Sequence, residues 1–246
     1  MDLMKFSFNL LRFSAIIFIL TGCGEDENML DDPAGDGIFQ ISTLDALAMG
    51  DYYAKASIEA IRSRGDFGLG TYVAVEGEMV ILDDVFYQVK DDGVVYEVSG
   101  TTETPFAAVK HFQADTMFDL DAVSSLNELT IKLDQMGVNP EEFYAIRIQA
   151  ELDSLVVRSV HRQNEPYPPL SAVVADQVIF PHADISGTLV GFYFPLYSGS
   201  INAAGYHFHF ISDDRTVGGH VLDCRISSGK IEMDRASDLQ VNLGPL

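Results

Sequence analysis

The chain has 246 residues, 37 acidic against 15 basic, for a formal net charge of −22. Such a surface repels phosphate backbones and anionic headgroups, which argues against a nucleic-acid partner and obliges any anion site to carry its own local positive charge. With 47% hydrophobic and 21% charged residues, the body has the composition of a globular domain rather than a disordered one.

Lys5 and Arg12 give a positive start, and an apolar run follows at 13–20. The run is shorter than the roughly 20 residues that span a bilayer, and it suits the h-region of a signal peptide. Leu20-Thr21-Gly22-Cys23 resembles a bacterial lipoprotein signal, with a Leu and two small residues before the cysteine that becomes lipidated. An ordinary secretory signal with an incidental Cys23 is the alternative. Residues 1–22 are thus expected to be a lipoprotein signal peptide, and the protein to be exported and lipid-anchored to the cell envelope through Cys23. Several acyl chains on one residue anchor stably where a single chain does not. If Cys23 is consumed this way, Cys224 has no partner and no disulfide is expected. Residues 23–37, acidic and Gly/Pro-bearing, read as a solvated tether.

Residues 38–246 form the folded domain, with lobes expected at roughly 38–150 and 151–246. Residues 39–64 carry apolar positions at helical spacing, enough for one helix or two. The glycines at 65, 68 and 70 break that pattern. From Thr71 the chain is expected to run as short strands at 72–75, 78–82, 85–89 and 94–98, with hairpin turns at Asp83-Asp84 and Asp91-Asp92-Gly93. Apolar positions in 120–136 predict a helix stopped by Asn139-Pro140. Further strands are expected at 143–151, 155–160, 188–194, 206–211, 219–225 and 230–233, interrupted by the extended loop Pro166-Tyr167-Pro168-Pro169. The fold class is α+β, with two lobes of mostly antiparallel or mixed sheet and a few helices.

Three of the six histidines fall together, in Tyr206-His207-Phe208-His209-Phe210 and Gly219-His220-Val221. Alternate strand residues share a face, so His207 and His209 point one way and the aromatics the other. A turn centred between Asp214 and Arg215 sets His209 directly across from His220, on the same face. Three imidazoles with open positions are a recurring catalytic zinc site, although copper, nickel or iron fits the donor type. Glu76 and Glu78, at the head of a strand, could complete such a site or move a proton; as solvated acids they would do neither. Arg158 stands among apolar neighbours, either as a buried cation for an anionic ligand or on an outward face.

These stretches resemble the alpha-acetolactate decarboxylase family. The matching residues include Gly68-Leu69-Gly70-Thr71, Glu76-Gly77-Glu78-Met79, Thr104-Pro105-Phe106, Arg158-Ser159-Val160-His161-Arg162-Gln163, Pro166-Tyr167-Pro168-Pro169 and the histidine block through Asp223. The resemblance implies zinc ligands at His207, His209 and His220, a glutamate at the metal centre at Glu78, an active-site arginine at Arg158 and a pocket threonine at Thr71. It implies zinc-dependent decarboxylation of 2-acetolactate to acetoin through a metal-stabilised enediolate, with Arg158 and Glu78 catalytic and no organic cofactor. Arg158 suits a carboxylate or developing charge better than proton donation, since guanidinium is a very weak acid. The resemblance also implies a longer C-terminal tail that brings another glutamate toward the site; with the sequence given ending at Leu246, no residue is assigned that role, and reduced turnover or a different proton route is open. A noncatalytic metal-binding surface lipoprotein and a zinc lyase or hydrolase for another small oxo acid are the competing readings. The oligomeric state stays open, a homodimer included.

Overall fold

The computed structural model describes residues 35–246, so the expected signal peptide, Cys23 and most of the tether lie outside the described residues. The first elements are β1 (Ile38–Ile41), α1 (Leu44–Ala48), β2 (Ala56–Ser57), α2 (Ile58–Arg62), β3 (Phe67–Thr71), β4 (Glu78–Leu82), β5 (Val85–Val89) and β6 (Val95–Glu97). There follow β7 (Glu103–Thr104), β8 (Phe106–Lys110), β9 (Thr116–Val123), α3 (Leu126–Gln135), β10 (Phe143–Ser159) and α4 (Leu170–Ala175). The last are β11 (Val178–Phe194), β12 (Gly205–Ser212), β13 (Gly218–Ala236) and β14 (Leu239–Asn242). No helix of the described residues is long and apolar enough to cross a membrane.

The architecture is α+β, dominated by two sheets. One has seven strands in the order β14-β1-β8-β3-β4-β5-β6; the other has five in the order β10-β11-β12-β13-β9. Strand β10 also pairs with β13, so β10, β11, β12 and β13 close on themselves and β9 takes over the edge of β13 where β12 leaves it. The sheets do not divide the chain near residue 150. β9 and α3 belong with the second sheet, and β14 returns to pair in parallel with β1 of the first.

Period-two patterning assigns the faces. Ile146, Ile148, Leu189, Phe208, Phe210 and Ile231 pack under Leu129 and Leu133 of α3. The opposite face of that sheet contributes Val190, Phe192, Phe194 and Ile211 to a second core, which Phe67, Leu69, Val80, Leu82 and Val89 of the first sheet complete. Residues that alternate in phase with this second core look into the space between the sheets, and the histidines of β12 are among them.

Several local expectations change. The glycine-rich stretch is itself strand β3, and the expected strand at 72–75 is a 3-10 turn at Val73–Val75 with Ala74 at φ 64°. Gly70 fits the sheet because a Cβ there would meet the carbonyl oxygen of Phe106 at 2.4 Å. Within 39–64 only two five-residue helices form, capped by Thr43 and Ser57, with β1 ahead of them. The expected helix at 120–136 divides: Leu120 pairs with Gly229 in β9, and Ser125 accepts from the Glu128 amide to start α3. The strands expected at 143–151 and 155–160 are one strand, β10.

Gly70→Val forces the β3–β8 backbones apart and should cost about 1–3 kcal/mol. Thermal unfolding checks this against Gly244→Ala, where a Cβ meets nothing within 4 Å. Equal melting temperatures for the two variants would contradict the packing described.

Candidate metal centre

The hairpin joining β12 to β13 fixes the site. Ser212 N donates to Val217 O at 2.8 Å, and the Ser212 hydroxyl oxygen accepts from the amides of Thr216 and Val217 at 3.1 and 2.9 Å. Asp214 Oδ1 accepts from the Thr216 hydroxyl at 2.7 Å, and Arg215 takes the left-handed conformation at φ 61°. This turn leaves His209 paired with His220, Phe210 with Gly219 and Ile211 with Gly218, the register expected from the sequence. Gly219, at φ 134°, is needed where it stands: a Cβ would meet the carbonyl oxygen of Arg158 at 2.5 Å.

The three imidazoles converge, with ring centroids 4.8–5.3 Å apart. One nitrogen from each lies within 4.8 Å of the others, a spacing at which the group can hold a metal ion. His209 Nδ1 sits 2.7 Å from the carbonyl oxygen of Met79. Since a carbonyl only accepts, Nδ1 carries the proton and Nε2 presents a lone pair to the cluster. His207 Nε2 and His220 Nδ1 face each other at 3.0 Å, while His207 Nδ1 is buried without a hydrogen-bond partner. Nitrogen lone pairs brought this close need a proton or a cation between them, so the donor set fits a metal ion. Burial, aided by the Arg158 charge, pushes His207 down to about 4. Burial first, then the neighbouring His207, holds His209 and His220 well below the ordinary histidine value. All three are neutral at pH 7, the form that binds metal.

The first sheet supplies the opposite wall. Glu78 and Thr71 are paired across β4 and β3 on the face that looks toward β12. Glu78 Oε2 is 3.5 Å from His209 Nε2 and its Oε1 is 3.6 Å from Arg158 Nε. Burial raises the Glu78 carboxyl to about 7, against the opposing pull of Arg158. Thr71 is buried and donates its hydroxyl to the carbonyl oxygen of Gly77 at 2.7 Å, holding the turn that presents Glu78. Glu76 is excluded from the centre: it is bound by Lys90 and Arg162 at 2.9 and 3.0 Å. His161 is likewise engaged elsewhere, by Asp91 at 2.5 Å. Arg158, Glu78, Thr71 and the three histidines line one cavity of about 240 Å³, with Leu44, Leu47, Val75, Phe106, Val160, Leu170 and Val174 among its apolar walls. That is just below the roughly 300–1,000 Å³ of common small-molecule sites, a scale for a compact ligand.

The alpha-acetolactate decarboxylase family profile matches residues 38–245. The chain belongs to the alpha-acetolactate decarboxylase family. It is 42% identical over 214 residues to the alpha-acetolactate decarboxylase of Methanosarcina mazei, covering 86% of this chain and 74% of that protein. That of Methylococcus capsulatus is 39% identical over 206 residues, covering 84% and 79%. The crystal structure of the alpha-acetolactate decarboxylase of Bacillus subtilis strain 168 superposes with a TM-score of 0.82 at 31% identity, over 85% of this chain and 90% of that one. This alpha-acetolactate decarboxylase family member is therefore a carboxy-lyase with the fold of its relatives.

Sequence reasoning missed the Met79 carbonyl, a backbone atom with no side-chain signal, and the contributions of Leu44 and Leu47 from α1. It also missed Gln177, whose Oε1 accepts from Arg158 Nη1 at 3.2 Å.

Protons compete with metal for imidazole. An ordinary histidine gains its proton as pH falls through about 6.5, whereas here the lone pairs stay free until the pH nears the depressed value of about 4 at His207. Metal content after dialysis should hold as pH falls to about 5 and drop beyond it. A loss centred near 6.5 would mean the rings titrate as exposed groups.

Proposed function

We propose that the chain decarboxylates 2-acetolactate to acetoin with a zinc ion held by His207, His209 and His220, and with Glu78 as the candidate fourth ligand or proton carrier. The observation that supports this reading is the convergence of three neutral imidazoles beside one arginine and one protonatable carboxyl in a small, mostly apolar cavity. When bound, zinc supplies Lewis acidity, stabilising negative charge that develops on oxygen.

The residues divide the remaining work. Among the described residues Arg158 is the only cationic side chain lining the cavity, and it receives the substrate carboxylate in a protein whose overall charge repels anions. Two-point contact by guanidinium fixes the plane of that carboxylate. The bond from the tertiary carbon to the carboxylate then breaks, carbon dioxide leaves, and the electron pair passes to the neighbouring ketone oxygen. A proton delivered to the former tertiary carbon gives acetoin. Glu78, with its carboxyl raised to about 7, can both hold and give a proton near neutral pH, the match that general acid–base work requires. Phe106, Leu47 and Val174 give the cavity an apolar wall, beside which Glu78 is a positioned group able to give the proton.

Carbon dioxide release from racemic 2-acetolactate by the purified soluble domain tests this. Turnover is expected, and Arg158→Lys should weaken it at least tenfold in kcat/KM, because a point charge replaces the planar fork. Release by an analogous 2-hydroxy-3-oxo acid but not by 2-acetolactate would favour a lyase of different specificity. No release from any of them in zinc-loaded protein would contradict the enzymatic reading.

Export and anchoring belong to the same proposal and rest on the sequence of residues 1–23 alone. Cys23→Ser should move the expressed protein out of the membrane fraction, and unchanged membrane association would refute the anchor.

A further inference from the structure

Arg158 has little to hold its guanidinium in place. Its Nε is buried without a hydrogen-bond partner. Glu78 Oε1, at 3.6 Å from that nitrogen, forms an ion pair with it but is beyond hydrogen-bond range and does not fix its orientation. Among the described residues, the side chain makes a single hydrogen bond, from Nη1 to Gln177 Oε1 at 3.2 Å. We propose that Gln177 is a positioning residue for substrate recognition: its neutral amide oxygen aims the Arg158 guanidinium at the substrate carboxylate without cancelling its charge. The proposal rests on the reading of Arg158 as the carboxylate-binding group.

The backbone makes Gln177 a firm support. Its amide donates to Val174 O at 3.2 Å, closing the last turn of α4. The next residue, Val178, opens β11 in register with Ser159, the neighbour of Arg158 on β10. Gln177 is thus pinned between a helix end and the first rung of a ladder. Leu170 and Val174 of the same helix line the cavity, so one corner of the fold both aims the cation and shapes the apolar wall.

The residue type matters as much as its place. A carboxylate here would also accept from Nη1, but it would form an ion pair and neutralise the cation. In a chain of net charge −22, that loss removes the one cationic side chain that lines the cavity among the described residues. An apolar residue would keep the charge but leave the long arginine side chain free to sample other rotamers. Only a neutral acceptor meets both needs.

Steady-state kinetics of zinc-loaded Gln177→Leu and Gln177→Glu test the proposal, with two inhibitors as probes: the carboxylate 2-hydroxy-2-methylpropanoate and the neutral product acetoin. In both variants, KM for 2-acetolactate and the inhibition constant of the carboxylate should rise about tenfold, the usual scale for a lost charged hydrogen bond or ion contact. The acetoin constant should stay within about twofold, since acetoin has no carboxylate for Arg158 to bind. A purely structural role would weaken both probes together, and that result, or an unchanged carboxylate constant, overturns the proposal. Thermal unfolding of each variant identifies one that fails to fold, and the isosteric Gln177→Glu then carries the test. Arg158→Gln separates the two levels. If it weakens the carboxylate probe and the Gln177 variants do not, Gln177 alone is wrong; if it does not, the reading of Arg158 fails and takes this one with it.

Discussion

The register of the β12–β13 hairpin is the constraint on which the site depends. Side chains alternate along a strand, so a slip of one residue would send a histidine to the opposite face. The turn network around Ser212 and Asp214 sets the count of residues between His209 and His220, and Gly219 lets β13 approach β10 beside Arg158. Two rigid strands then hold three rings, with the Met79 carbonyl turning one of them. The first sheet completes the arrangement from across the interface, through Glu78 and Thr71 on adjacent strands. The centre is a product of packing two sheets rather than of either one.

Burial acts on the three imidazoles and on the Glu78 carboxyl in opposite directions. It keeps the imidazoles neutral, which leaves their lone pairs available. It also holds the Glu78 carboxyl near neutrality, where a proton can be taken or given. Arg158 adds a planar guanidinium with several donors beside them. A cavity with one cationic side chain, one protonatable acid and three neutral donors is balanced for an anionic substrate whose charge passes to its remaining oxygens as neutral carbon dioxide leaves. The acidic exterior makes that single cation more valuable.

Much of the site could be read from the sequence because its geometry is local. His207, His209 and His220 lie on one hairpin, and turn chemistry plus strand periodicity suffices to bring them together. Glu78 stood beside Glu76 as a candidate until the family resemblance singled it out, and Thr71 came from the resemblance alone, since their approach to β12 is a tertiary event. Arg158 shows why the rest was hidden. Ile146, Ile148, Ala150 and Leu152 share the α3-facing core with Leu155 and Val157, so the phase of β10 inverts between 152 and 155. The register shifts there, and Arg158 turns toward Glu78 rather than toward α3. Simple alternation gives no warning of that bulge. The glycine-rich stretch misled for a related reason: its glycines make room for the carbonyls of β8, a neighbour some forty residues away. Sheet membership was illegible for the same cause, since β9 and β14 each pair outside their own half of the chain.

Metal reconstitution puts the central claim at greatest risk. Protein stripped by a chelator at neutral pH and titrated with zinc should recover carbon dioxide release in proportion to metal bound, reaching a plateau at about one ion per chain, the stoichiometry of a single three-histidine site. Full turnover by the stripped protein, or a plateau in binding with no recovery of activity, would contradict the account.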